Sequence, residues 1–268
     1  MALSPSLNPF PGYGKISNMK RTLLFFDLDD TILQNPMVDA VFPAIFDHFR
    51  SYHPELTDEI LWKELNGILY PRYHARKIEA FDWDEMVQQV ARKYGIPFDT
   101  PIEKMIEENA HSPYLKIFDH VHEVLSALKA DGKYSLAIGT NGHWRYQKPS
   151  VKALGLLDYF DYILTPDLTG YLKGAPGFYQ SALNGSKLQI TIGDQYDADV
   201  EEPLQLGFHA IWRPAQLPVG TDRDQSPFER ALAMEIPNPY SLRADAVITG
   251  FSELIPVIEE IDRRFFDN

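Results

Sequence analysis

An α/β fold, a doubly wound parallel sheet interrupted after its first strand by a block of helices, is predicted by three observations. Four large apolar residues, Leu23-Leu24-Phe25-Phe26, run directly into a carboxylate cluster, Asp27-Leu28-Asp29-Asp30-Thr31. Residues 113–268 alternate short apolar segments with amphipathic ones, the βα rhythm of a parallel sheet covered on both faces. Between them, residues 35–112 carry helical periodicity and no strand signal.

The opening apolar run reads as a buried central strand, so the acids after it sit at the strand's carboxyl end, where open α/β sheets bind ligands. If the extended geometry persists, Asp27 and Asp29 project to one side of Leu28. Two converging oxygen donors suit a metal-assisted nucleophile with an acid/base partner. Asp30 reads as a turn residue. Next, Val38, Val41, Phe42, Ile45, Phe46 and Phe49 recur at helical spacing. Thr57 caps a second helix, a third covers 83–94 and stops at Gly95 before Pro97, and Pro101 opens a fourth over 102–110. After that block come a helix at 121–130, a strand at 134–139, a helix at 144–154 and a strand at 162–164. A helix at 176–183, a strand at 188–192, a helix at 199–206 and a strand at 210–212 follow. A connector rich in Pro, Asp and Gly spans 214–243, with a short helix at 228–234, and a strand at 246–248 and a helix at 252–263 close the chain.

The division is therefore an extension at 1–18, a core made of 19–34 and 113–268, and a helical block at 35–112. The extension carries Pro5, Pro9, Pro11, Gly12 and Gly14, lacks the apolar centre of a signal peptide, and reads as loose; Met19 is a second candidate initiator. Apolar residues make up 44% of the 268 and charged ones 24%, the balance of a soluble globular protein. The longest apolar runs, 23–26 and 204–211, are too short or too interrupted to cross a bilayer, so no membrane partner is expected. With no cysteine, disulfides, thiolate zinc sites and cysteine nucleophiles are excluded, and a cytoplasmic location is compatible. A net charge of -13 argues against nucleic acid as a partner.

Three further segments at or after strand ends answer the opening cluster. Thr140-Asn141-Gly142 follows the strand at 134–139 and supplies a hydroxyl and free amides at a helix start; it reads either as an anion site or as a plain cap at Thr140. Gly193-Asp194-Gln195-Tyr196-Asp197-Ala198-Asp199 is a second acidic cluster, in which Asp199 alone would read as a helix N-terminal acid. Two such clusters on neighbouring strand ends need a cation, since like charges about 4 Å apart at an effective dielectric near 20 cost about 4 kcal/mol per pair. A small set of hard oxygen ligands suits Mg²⁺ better than zinc or calcium. Lys173, ahead of a helix that Pro176 can start, reads either as a solvated surface lysine or as the positive charge that a phosphate needs among carboxylates.

Together these segments resemble the haloacid dehalogenase (HAD) superfamily, in the branch with a helical C1-type cap inserted after the first strand. Asp27-Leu28-Asp29-Asp30-Thr31 matches its first motif, Thr140-Asn141-Gly142 its second, Lys173 its third, and Gly193-Asp194 with Asp199 its fourth. Gln147-Lys148, the stretch 155–161 and Ala244-Asp245-Ala246-Val247-Ile248 are also similar, so the likeness spans residues 20–262. It implies a Rossmann-like core with an α-helical cap domain at 35–112. It implies that Asp27 attacks phosphorus and becomes an aspartyl phosphate, while Asp29 protonates the leaving alcohol and then activates water. It places Mg²⁺ on the Asp27 carboxylate, the Asp29 backbone carbonyl and Asp194, the transferring phosphoryl group on Thr140, the Asn141 amide and Lys173, and Asp199 as the residue orienting Lys173 or a metal-bound water. Asp29 favours phosphatase over dehalogenase, because a halide leaves without a proton and an alkoxide does not. Gly174-Ala175 stands where the family usually has Pro-Asp, which leaves Lys148 as a second candidate for the phosphate lysine; Gln195 replaces a commoner small residue.

The activity implied is a Mg²⁺-dependent phosphomonoester hydrolase acting on a small phosphorylated metabolite such as a nucleotide or sugar phosphate. The alternatives are a phosphomutase or phosphotransferase using the same aspartyl phosphate, and a non-enzymatic phospho-acceptor or binding module. In the cap, Arg72, His74, Arg76 and Lys77 form a basic knot that either reads a second substrate group or is a solvated face, Tyr70 and Tyr73 being candidates for packing within the cap. His143 and Trp144 are candidates to line the entrance.

Overall fold

The computed structural model describes residues 20–267; the extension at 1–18 and the candidate initiator Met19 lie outside the described residues. Among the described residues, six parallel strands form the main sheet: β1 (Thr22–Phe26), β4 (Tyr134–Gly139), β5 (Tyr162–Leu164), β6 (Leu188–Gly193), β7 (His209–Trp212) and β8 (Ala246–Val247), in the order β5-β4-β1-β6-β7-β8. β2 (Leu33–Gln34) and β3 (Lys116–Ile117) are a separate antiparallel ribbon. The sheet order reverses direction between β1 and β6, and that switch point is where a doubly wound sheet opens a crevice beyond its strand ends.

Alternation along β1 explains the layers. Leu24 and Phe26 join Leu136, Ile138, Ile190 and Ile192 under helices α5 (Val121–Asp131) and α11 (Leu254–Phe266). Leu23 and Phe25 point the other way and join Ala137, Leu164 and Phe178 under α8 (Pro176–Leu183). A strand whose successive residues all meet apolar partners is buried on both faces, which is why the run 23–26 shows no polar alternation.

The chain leaves the core through β2 and returns through β3, Leu33 pairing with Ile117 and Gln34 with Lys116. Two-residue strands were not expected from sequence, being too short to show a period. Between them lie α1 (Phe42–Tyr52), α2 (Asp58–His74), α3 (Trp83–Tyr94) and α4 (Ile102–Asn109), with a cluster of their own built from Phe42, Phe46, Phe49, Leu65, Val87 and Ile106, among others. Thr57 accepts from the Ile60 amide at 3.3 Å and Gly95 closes α3 with a left-handed φ of 66°, as their residue types direct.

The helix expected at 199–206 is different in form. A π turn covers Tyr196–Glu201 and only Glu202–Gln205 (α9) is α-helical. The extra residue in the turn lets the Asp199 carboxylate reach back to accept from the Gln195 amide at 3.0 Å, a wide turn of the kind found at functional sites. The connector holds α10 (Pro227–Ala233), started by a reciprocal Ser226/Glu229 capping box. The buried Arg230 ties the connector down through the carbonyls of Asp222, Arg223 and Val247 and the Glu253 carboxylate.

Candidate functional site

Three of the four motif segments meet because each places a polar residue directly after a strand of one sheet, Asp27 after β1, Thr140 after β4 and Asp194 after β6, and Lys173 joins them from the segment between β5 and α8. The ladder continues one step past β1, with the Asp27 amide donating to the Ile192 carbonyl at 2.9 Å, and past β4, with Thr140 donating to Leu164 at 3.2 Å. The buried Lys173 Nζ lies 2.7 Å from Asp27 Oδ1 and 2.7 Å from Asp199 Oδ1. Its backbone amide donates to Asn141 Oδ1 at 2.8 Å, so the second and third motifs hold one another. Gly193 is required by close approach: a Cβ there would collide with the Asp199 carboxylate. Gly174 turns with φ +89° and donates to the Tyr179 hydroxyl at 3.3 Å. Proline has neither that φ nor that N–H, which accounts for its absence after Lys173 in this chain.

Carboxylate oxygens of Asp27, Asp194 and Asp199 lie within 4.8 Å of one another. Three such groups face one ammonium, and the excess negative charge on hard oxygen donors fits a divalent cation. Burial, reinforced by Asp27 and Asp199, pushes the Asp194 carboxyl up; burial and Asp27 also raise Asp199 despite the opposing pull of Lys173. Burial works against the charge of Lys173, but Asp199 and Asp27 outweigh it and hold the ammonium protonated.

Asp29 stays out of that cluster. Its Oδ2 accepts from Gln147 Nε2 at 2.6 Å, and its buried Oδ1 has no partner. Burial first, and the Asp27 charge second, raise its pKa to about 7. Asn35 in turn donates to Gln147 Oε1 at 3.4 Å. Asp30 adopts φ 55° and its carbonyl accepts from Arg213 at 2.6 Å, the turn role expected of it.

Several expectations are corrected. Thr140 does not cap the following helix: its hydroxyl accepts from the Gly142 amide at 3.2 Å, while Asp167 caps α6 (Trp144–Ala153) by accepting from the Trp144 amide at 2.9 Å. Lys148 is exposed on α6, whereas Lys173 is buried among the acids, so the solvated reading of Lys173 falls as well. His143 and Trp144 do not line the entrance; His143 is buried with its Nε2 2.8 Å from the Ile78 carbonyl, and Trp144 packs in the core. Arg72 pairs with Glu85 at 2.5 Å and His74 and Lys77 are exposed, so of the basic knot Arg76 alone reaches the core, where Glu202 and the Lys173 carbonyl take it up.

A cavity of about 640 Å³ lies between the strand ends and the helical block, lined by Asp27, Asp29, Thr140, Asn141, Lys173 and Asp194 on one side and by aromatic residues on the other. The two sides are tied by Tyr73, whose hydroxyl donates to Asp197 at 3.1 Å, and by Arg76, which donates to the Lys173 carbonyl at 3.3 Å. Tyr146 joins them too, its hydroxyl donating to Asp84 Oδ2 at 2.8 Å. Gln147, Asn35, Tyr73 and Tyr146 were not singled out as site residues by sequence. Gln147 and Tyr146 occupy the first turn after the Thr140 loop, and that proximity is the signal that points to them.

The model of the haloacid dehalogenase-like hydrolase family matches residues 22–202. The human "Haloacid dehalogenase-like hydrolase domain-containing protein 3" is 26% identical over 204 residues, 70% of this chain and 80% of that protein. The "Probable phosphatase IndB" of Dickeya dadantii is 27% identical over 156 residues, 58% of this chain and 64% of that protein. Among solved structures, a HAD phosphatase from Thermococcus onnurineus superposes with a TM-score of 0.65 at 23% identity, covering 88% of this chain and 97% of that one. A 2-haloacid dehalogenase from Pseudomonas syringae superposes with a TM-score of 0.55 at 24% identity, covering 90% and 99%. Structural likeness at these identities speaks for the fold alone; with the family match and the meeting of all four motifs at one switch point, this chain belongs to the haloacid dehalogenase-like hydrolases.

Proposed function

We propose that the protein is a Mg²⁺-dependent phosphatase that hydrolyses a small phosphomonoester through an aspartyl phosphate on Asp27, and that residues 35–112 act as its cap. The observation that carries this reading is the separation of two carboxylates by environment: Asp27 is bound to Lys173 at 2.7 Å, while Asp29 is held apart by Gln147 with its pKa raised to about 7. Groups whose surroundings push them to different roles make a nucleophile and an acid. Asp27 attacks phosphorus as Asp29 gives its proton to the departing alkoxide oxygen; Asp29, now ionised, takes a proton from water, which attacks phosphorus and frees Asp27. Lys173, Thr140 and the Asn141 amide hold the phosphoryl oxygens, and Asp199 keeps Lys173 in place. Asp27, the Asp29 backbone carbonyl and Asp194 would hold Mg²⁺, which supplies charge neutralisation on those oxygens when bound.

A proton donor two residues after the nucleophile favours an ester over a halide as substrate, since only the alkoxide needs the proton. Asp27→Asn is expected to remove phosphate release from every ester, a loss of about 10⁴-fold or more, with an unchanged circular dichroism spectrum. Turnover within a few fold of the parent would refute the assignment.

A further inference from the structure

The helical wall of the cavity carries information about the substrate that the strand ends do not. Phe42, Trp62, Tyr70, Tyr73, Phe81 and Trp83 line it. The rings meet mostly edge to face, Phe42 with Trp62 at 4.6 Å and with Trp83 at 5.0 Å, and Tyr73 with Phe81 at 5.9 Å. Among the described residues Lys173 is the one cation lining the cavity, and it is already shared by Asp27 and Asp199. Away from that cluster Asp39 and Asp197 add only negative charge. Arg72, in the last turn of α2, and Arg76, just past its end, are engaged with Glu85 and Glu202 and do not line the space. Val38 and Tyr70 line it while more than half exposed.

Resting on the phosphatase reading, we propose that the substrate is a monoester whose alcohol is uncharged and carries a planar ring, a nucleoside monophosphate being one member of the class, and that esters with a second anionic group are turned away. A ring entering this wall exchanges water for ring faces and edges, with attraction beyond the area buried. A carboxylate or second phosphate would lose hydration without gaining a cation, and would meet Asp39 and Asp197. The cavity volume of about 640 Å³ admits a phosphoryl group together with a ring system.

The test compares three primary alkyl esters in the presence of Mg²⁺: ethyl phosphate, 2-phenylethyl phosphate and 3-phosphooxypropanoate, with phosphate release as readout. The phenylethyl ester is expected to exceed ethyl phosphate in kcat/KM by about tenfold or more, and the carboxylate-bearing ester to fall below it. Tyr70→Ala, at an exposed position, and Phe81→Leu are each expected to lower the phenylethyl-to-ethyl ratio by about threefold or more. Equal rates for the ethyl and phenylethyl esters, a preference for the carboxylate, or an unchanged ratio in both variants overturns the substrate class while leaving the phosphatase reading standing. Absence of release from all three esters overturns both.

Discussion

The two walls of the cavity are built on opposite plans. At the strand ends, short polar side chains from loops far apart in sequence bind one another directly: Lys173 reaches Asp27 across 146 residues of chain and Asp199 across 26. On the helical side, rings from α1, α2, α3 and the turn at Ile78–Phe81 meet by edge and face, and few hydrogen bonds fix them. On the proposed reading, polar groups locked by a sheet would hold one geometry for the step common to all substrates, whereas packed rings, which tolerate exchange, would set which alcohol fits. The difference predicts that damage to the first wall is uniform across substrates and also costs stability, while damage to the second is selective.

The largest effect is expected at Lys173. Lys173→Met leaves Asp27 and Asp199 buried without their cation, which costs about 3 to 5 kcal/mol in urea unfolding and reduces turnover of all esters alike. Adding Asp199→Asn to that variant is expected to return part of the stability and none of the activity, because it removes a buried charge without restoring a phosphate ligand. A Lys173→Met protein as stable as its parent, or impaired toward one ester alone, would break the contrast between the walls.

The same contrast decides what sequence could reveal. The polar wall was legible because each of Asp27, Thr140 and Asp194 follows an apolar strand, and a strand end is a position in the fold as well as in the chain. Lys173 was legible only as one of a set, since its burial depends on Asp27 and Asp199 arriving from elsewhere. The aromatic wall was not legible. α2 carries apolar residues on two sides, Leu61 and Leu65 toward the block's own core and Trp62, Leu69 and Tyr73 toward the cavity, and a helical period cannot tell core from cavity. Nor could the basic knot disclose its partners, as Glu202 lies 126 residues from Arg76. The π turn at Tyr196–Glu201 adds one residue to a turn, a change that leaves the apolar spacing readable as an ordinary helix.

A second test concerns the charge stored at the strand ends. The Asp29 pKa, raised by burial from 3.8 to about 7, and the raised Asp194 and Asp199 mean that the folded protein without metal binds protons more tightly than the unfolded chain. Their stabilising contribution is therefore full at low pH, below the unfolded value of 3.8, and is lost as pH rises toward about 7. Mg²⁺ bound to these carboxylates, as proposed, would compete with those protons, so its stabilisation should grow over the same interval. Saturating Mg²⁺ is expected to raise Tm by about 5 °C or more at pH 8 and by less at pH 5. Equal shifts at the two pH values would mean that the ion binds away from these carboxylates.

The smallest effect is expected where the walls touch. Arg76 is about half exposed and donates to both Glu202 and the Lys173 carbonyl, so it joins the helical block to the loop that carries the buried ammonium. Solvent screens such a pair, and Arg76→Ala should cost about 1 kcal/mol or less, less still at high salt. If the block moves as a body over a rigid polar wall, the variant loosens the closed arrangement and raises KM a few fold while kcat for a given ester stays close to that of the parent. The Lys173 backbone has a second anchor in Asn141, at 2.8 Å, which is why the ammonium should hold its place without Arg76. A fall in kcat equal for every ester would show the opposite: that the helical block helps to build the polar wall, and that the two plans are one.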